Sequence, residues 1–416
     1  MLSAHDNETL TQTSHDTPMG DLLRRFWMPV LLAQELPGPD CDPVRVQVCG
    51  EEFVAFRDTA GRIGLLDARC PHRGAELFWG RNEEHGLRCV YHGWKFDITG
   101  ACLDLPSEPA ESNFKEKVRA GAYPVREYGG LVWAYFGPAE LTPPLPKFEF
   151  GHLPAEQLFV SKKLQECNWA QSLEGAIDTA HFSFLHMPKE VDDRSPQTVR
   201  WMKNDGSPRF TVIPHEAGFV VGGARSTDSD DLYWRITQFL VPNHSLAPGS
   251  MSQDNMNGQT WVPIDDRHCW IYCYTWNPWR PITDTERAQM AGGFGIHSEV
   301  DSLWRPIRNR DNDYLIDRAA QRTTSFTGVK GISEQDSYIQ DSQGAIYDRT
   351  KEHLGTTDIA IIEWRKLMLK LARDLREGDE PPQAANPEAY WVRSGGAVAP
   401  SSTPFADLVA TRARIG

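Results

Sequence analysis

Cys70-Pro71-His72 and, sixteen residues further on, Cys89-Val90-Tyr91-His92-Gly93-Trp94 constrain this chain more than any other feature of its 416 residues. Each of two short loops offers one thiol and one imidazole. Structural zinc sites usually pair like with like, as C-x2-4-C and H-x3-5-H. A mixed pair in each loop fits a Rieske-type [2Fe–2S] cluster instead, with Cys70 and Cys89 on one iron and His72 and His92 on the other. Neutral imidazoles in place of two thiolates lower the negative charge of such a cluster, so it accepts an electron readily.

A second constellation separates an electron carrier from an enzyme. The run from Glu174 to His186 contains Asp178-x2-His181-x4-His186. Two histidines and a carboxylate make the facial triad of non-haem Fe(II) oxygenases, which leaves coordination positions open for O2. At roughly 100° per residue, Asp178 and His181 share a helix face, whereas His181 and His186 diverge by about 140°. Both reach one iron only if the helix ends or widens between them, as at a π-bulge.

Length and pattern indicate two domains. Residues 1–26 read as a helical lead-in packing on the catalytic domain, with Met19–Phe26 amphipathic. From 27 to 143, short strands (Val44–Val48, Phe53–Phe56, Ile63–Leu66, Gly130–Tyr135) broken by Gly and Pro suit a small β domain with the cluster loops at its tip. The Pro-rich stretch 141–146 reads as a linker. A catalytic iron domain then spans 144–378, with strands near 209–224, 232–241 and 268–276, an irregular stretch at 277–330, and a last helix capped at Thr356–Asp358 and closed by Gly378. Residues 379–416 read as an irregular tail. The composition, 40% hydrophobic and 24% charged, fits a soluble globular chain. No apolar run approaches the roughly eighteen residues that span a bilayer. The polar start lacks a signal-peptide pattern, so a cytoplasmic location is expected, with Cys41, Cys49, Cys102, Cys167, Cys269 and Cys273 as free thiols. The net charge of −14 disfavours nucleic acid or an anionic membrane as partner.

Taken together, Cys-Pro-His-Arg-Gly (70–74), Cys-Val-Tyr-His-Gly-Trp-Lys-Phe-Asp (89–97), the Asp178–His186 motif, Tyr-Trp-Arg-Ile-Thr (233–237) and Gln335-Asp336 resemble the oxygenase (alpha) component of Rieske non-haem iron aromatic-ring oxygenases, in the phthalate dioxygenase-like branch. The resemblance implies an α+β fold: an all-β Rieske domain plus a helix-grip catalytic domain, an antiparallel sheet wrapped on a long helix. It points to Asp336 as the third iron ligand. Spacing alone leaves this open, with Glu334 and Asp341 as alternatives. Ser333 reads locally as the N-cap of a helix carrying Asp336 in its first turn.

The resemblance also assigns Asp178 as a bridge from His181 to His92 of a neighbouring subunit, which implies head-to-tail homotrimers or dimers of trimers. Arg235 matches an arginine that holds the substrate carboxylate in phthalate-type enzymes. Phe182 stands where those enzymes look to have serine, which puts phthalate itself in doubt. His85 and His353 fit no ligand position. No Gly-rich phosphate fingerprint is present, so electrons from NADH are expected through a separate reductase. The expected reaction is O2-dependent ring dihydroxylation or monooxygenation of an aromatic acid, with O-demethylation of a methoxylated acid as the alternative and a Rieske electron carrier without catalysis as the rival from a different class.

Overall fold

The computed structural model describes residues 1–109, 111–249 and 254–413. The chain divides into two compact units, Leu23–Pro143, and Met1–Leu22 together with Pro144–Gly416.

The Leu23–Pro143 unit is built from three small antiparallel sheets. Trp27–Leu32 pairs with Leu131–Tyr135, which pairs with Val125–Tyr128; Val44–Val48, Glu51–Arg57 and Ile63–Asp67 form a meander; Arg81–Glu83, Gly86–Arg88, Lys95–Phe96 and Cys102–Asp104 form the third sheet. Val54, Phe56, Leu66, Leu77, Leu87 and Phe96 fill its core. Cys70 follows the end of the meander, and Cys89 opens the turn between Gly86–Arg88 and Lys95–Phe96, so both cysteines sit where a strand has just ended.

The second unit carries an eight-stranded antiparallel sheet. Seven of its strands run in the order Leu158–Gln165, Cys269–Trp276, Met256–Pro263, His244–Pro248, Asp231–Leu240, Gly218–Ser226, Arg209–His215, and the eighth, Gly395–Pro400, pairs with Asp231–Leu240 off this path. Alternation assigns each side chain to one face. On one face lie Lys163, Gln165 and Trp261, and all three reach helices. Lys163 donates to Ser333 Oγ (2.6 Å) and Ser337 Oγ (2.7 Å), and Gln165 donates to Asp341 (2.6 Å), all three on the helix Ile332–Ser342. Trp261 donates to Ser172 Oγ (2.9 Å) on the helix Trp169–Ile177. The long helix Ile359–Glu377 closes this side, Trp364 meeting Trp169 and Phe239 edge-on. It ends at Gly378, whose φ of 101° is the left-handed conformation glycine supplies most readily. Glu174 lies under Arg349 and Arg365, which clamp the short helix to its neighbours.

Three expectations are corrected. Residues 379–413 are not an irregular tail: Gly395–Pro400 pairs antiparallel with Asp231–Ile236, and Phe405–Arg412 is a helix whose Phe405 stacks on Trp234. Ala397, Ala399, Phe405 and Leu408 thereby cover the second sheet face. Within 277–330, Asp284–Ala291 is helical, started by a Thr283/Glu286 capping box. Ser333 is not a cap: Gly331, at φ 95°, precedes the helix, and Ser333 instead bonds Lys163. No helix of the described residues is long and apolar enough to cross a membrane.

Candidate iron site and cluster loops

The two cluster loops repeat one backbone design. Gly74 N–H donates to the Cys70 carbonyl (2.9 Å) and Gly93 N–H to the Cys89 carbonyl (3.0 Å), each glycine at positive φ. Cys70 N–H donates to Ala75 O and Cys89 N–H to Trp94 O, both at 2.8 Å. Both sulfurs therefore emerge from equivalent turns. Cys70 and Cys89 are buried and free. Burial, and then the second thiol beside it, pushes Cys70 up to about 11. The His72 ring stacks flat on Trp94 (4.1 Å, 8°) and lies 4.3 Å from the His92 ring. His72 Nδ1 is buried without a hydrogen-bond partner. Two buried thiols and an orphaned imidazole nitrogen suit the cluster, because ligation satisfies all three. Arg88 fixes the second loop by donating to Gly93 O (2.7 Å) and Asp104 (2.8 Å). Around His92 the surface is apolar and exposed, with Val90 and Tyr91 both more than half accessible.

In the other unit, the Trp169–Ile177 helix stops before the histidines rather than widening between them. Asp178 is its C-cap in extended conformation, and His181–Ser183 forms a single 3-10 turn. The 140° phase difference is thus removed by ending the helix, and Asp178 and His181 do not share a helix face. Asp178 still reaches His181, because its Oδ1 accepts Ala180 N–H (2.7 Å) and its Oδ2 lies 3.2 Å from His181 Nδ1.

His181 Nε2 and His186 Nε2 are 3.0 Å apart, and Asp336 Oδ1 lies 3.6 Å and 3.3 Å from them. The far sides of both rings settle the proton positions. His186 Nδ1 is 2.8 Å from Gln335 Oε1, an acceptor, as Asp178 Oδ2 is for His181. Both Nδ1 atoms therefore carry protons, and both Nε2 lone pairs converge with a carboxylate oxygen on one point. Three acceptors facing one another are satisfied by a cation, and the set of two imidazoles and one carboxylate is that of a facial iron triad. Against a burial that would raise it, His186 and then His181 hold Asp336 below the usual carboxylate range. Of the alternative acids, Glu334 turns toward Gly331, and Asp341 bonds Gln165 and Tyr314. Neither faces the histidines.

Phe182 lies against the triad, its ring centroid 4.7 Å from each histidine ring. On it rests the guanidinium of Arg235, 3.8 Å from the centroid. Arg235 is 3% exposed, donates to Pro248 O (3.2 Å), and has an unpartnered Nε. Burial lowers its pKa, and no carboxylate pairs with it among the described residues. His85 and His353 are exposed.

Two further residues have roles that the sequence does not show. Gln335 orients His186 while its Nε2 donates to Val329 O (2.8 Å). Its only signal is its place beside Asp336. Arg225, wholly buried, donates to Thr179 O (2.7 Å), just before the His181–Ser183 turn, and to Ser183 Oγ (3.3 Å), at its end. An arginine ending the apolar strand Gly218–Ser226 is the signal that could have found it.

A Rieske [2Fe-2S] domain matches residues 26–126, and the LigXa C-terminal domain-like family matches residues 134–413. The chain is 39% identical over 390 residues to the phthalate 4,5-dioxygenase oxygenase subunit of Pseudomonas putida, covering 91% of this chain and 88% of that one. It is 37% identical to the 3-chlorobenzoate-3,4-dioxygenase oxygenase subunit of Comamonas testosteroni, covering 97% of both. Among solved structures, a mutant of NdmA from Pseudomonas putida CBB5 with caffeine shares the fold, with TM-score 0.61 and 18% identity over 93% of this chain and 99% of that one. The chain belongs to the Rieske non-haem iron oxygenases, as an oxygenase component. It is an oxidoreductase of a multicomponent system, with a Rieske cluster and a mononuclear iron as cofactors and O2 as co-substrate.

Proposed function

We propose that this oxygenase hydroxylates an aromatic acid whose carboxylate is held by Arg235, with His181, His186 and Asp336 as the iron ligands and Cys70, His72, Cys89 and His92 as those of the cluster. The observation that carries the reading is the Arg235–Phe182–histidine stack. A buried guanidinium without a counter-charge is costly in free energy, and a ligand carboxylate offsets that cost with a bidentate, charge-assisted pair. Phe182 spaces that anion from the triad by one aromatic ring and makes the wall there apolar. It favours a substrate larger or more apolar near the iron than phthalate.

When bound, the cluster and the iron supply electron delivery and O2 activation. The chain's own groups hold and orient. Gln335 and Asp178 keep each Nδ1 protonated and each Nε2 aimed inward. Asp178, whose carboxylate is partly exposed, is also suited to link His181 to His92 of a neighbouring copy in a head-to-tail trimer, and electrons are taken to come from NADH through a separate reductase.

The test is Arg235→Gln assayed on aromatic acids and their methyl esters with a generic reductase. KM for the acid rises by about one to three decades, at about 1.4 kcal/mol each, while the ester changes little. Equal losses for acid and ester overturn the clamp. Formaldehyde released from a methoxylated acid identifies O-demethylation rather than ring hydroxylation. His181→Ala keeps the cluster spectrum and forms no product; turnover by that variant refutes the iron-site assignment.

A further inference from the structure

The sheet face that carries Arg235 continues beyond it. Residues paired across an antiparallel sheet share a face. The registers Gly223↔Arg235, Phe239↔Ser245, Ala247↔Asn257, Asn257↔Thr275 and Phe159↔Thr275 therefore put Arg235, Asn257, Thr275 and Ser161 on the side where Lys163 meets the Asp336 helix. A cavity of about 210 Å³ opens on this side, lined by Gly249, Asn257, Thr275, Met290, Phe294 and His297. Two of its lining residues are chain neighbours of groups bonded at the site. Gly249 follows Pro248, whose carbonyl takes Arg235, and Ser298, next to His297, donates to Ser333 at the start of the Asp336 helix.

A relay of hydrogen bonds runs along the cavity wall. Ser161 Oγ is 2.7 Å from His297 Nδ1, His297 Nε2 is 2.9 Å from Thr275 Oγ1, and Thr275 Oγ1 donates to Asn257 Oδ1 at 2.6 Å. Burial pushes His297 down to about 3, so the ring is neutral with a single N–H. The 2.6 Å contact has the length of an O–H···O bond rather than an N–H···O bond. With the Thr275 proton on Asn257 Oδ1, Thr275 accepts from His297 Nε2–H, and His297 Nδ1 accepts from Ser161. Every proton is then assigned. The Asn257 amide oxygen is committed, and its NH2, without a protein partner among the described residues, faces the cavity.

We infer that this cavity receives the end of the substrate that Arg235 does not hold, and that Asn257 is a specificity-determining residue there. It selects rings bearing a hydrogen-bond-accepting oxygen, such as an ether, nitro or carbonyl group, over rings bearing an alkyl group of the same size. This rests on the aromatic-acid reading only for the position of the other end.

The experiment measures Kd by calorimetry on the loaded oxygenase without O2, for 3-methoxybenzoate against 3-ethylbenzoate and for the neutral pair methoxybenzene against ethylbenzene. The methoxy member is expected to bind about tenfold tighter in each pair that binds, about one hydrogen bond's worth. Asn257→Leu abolishes the preference while leaving the ethyl members within about twofold. Asn257→Asp, which offers no donor, inverts it, and serves if the leucine variant misfolds. No methoxy preference in the natural protein, or one that survives both substitutions, overturns the inference. If neither acid binds while the neutral pair shows the Asn257-dependent preference, the aromatic-acid reading fails and this one stands.

Discussion

Glu174 and Arg235 are both deeply placed charges, yet among the described residues only Glu174 has partners of opposite sign. Burial alone would raise the Glu174 pKa, but Arg349 and Arg365 hold it below the ordinary carboxylate range. Removing one partner from such a set leaves buried charges uncompensated, so Glu174→Gln is expected to cost about 3–5 kcal/mol at neutral pH. A depressed folded pKa gives stability that is complete above the unfolded value, about 4.3, and is lost as pH falls through the folded one. The gap between natural protein and variant should therefore narrow below about pH 4, as thermal melts across pH will show. Arg235→Met removes a buried cation that has no acid partner, so its melting temperature should hold or rise while acid binding falls. Gln335→Leu keeps the volume but releases His186. Iron affinity should drop about 10–100-fold, read by anaerobic metal titration, with the cluster spectrum unchanged.

Among the elements, the C-terminal segment gives the sharpest test. Gly395–Pro400 satisfies the edge of Asp231–Ile236, and Phe405 covers Trp234. Truncation after Asn386 should expose that edge and the aromatic surface beneath, lowering the melting temperature and promoting aggregation, visible by light scattering. This element is illegible because Gly-Gly-Ala-Val-Ala-Pro holds a single strong strand former, Val398, among Gly, Ala and Pro. Its strand conformation comes from a partner more than 150 residues earlier in the chain. The reverse holds for the cluster loops, where the proposed ligands, the turn glycines and the flanking strands are all local, so the motif can be read without its fold. The histidine segment lies between. Phase arithmetic shows that a continuous helix cannot present both rings, but only the fold shows that the helix ends at Ile177, four residues before His181. The Gln335–His186 contact and the Asn257 relay join segments over a hundred residues apart or across strands, and no local pattern announces them.

For the whole molecule, the two metal motifs lie in separate compact units, Leu23–Pro143 and the remainder, which leaves open which copy's cluster serves which iron. The proposed head-to-tail trimer answers that each cluster serves its neighbour, through Asp178 and His92. Two inactive variants distinguish the possibilities: His72→Ala, which disables the cluster, and His181→Ala, which disables the iron. In a heterologous ring assembled from an equal mixture, one junction in four joins an intact cluster to an intact iron on the adjoining copy. Co-refolded mixtures should then recover about a quarter of the natural rate, whereas electron transfer confined to one copy recovers none. Adding Asp178→Asn to the cluster-disabled partner should suppress the recovery, because the bridge beside the working iron then loses its charge while both metals stay bound. Recovery that is indifferent to Asp178 would show electrons crossing the interface by another route, and would reduce Asp178 to its bond with His181.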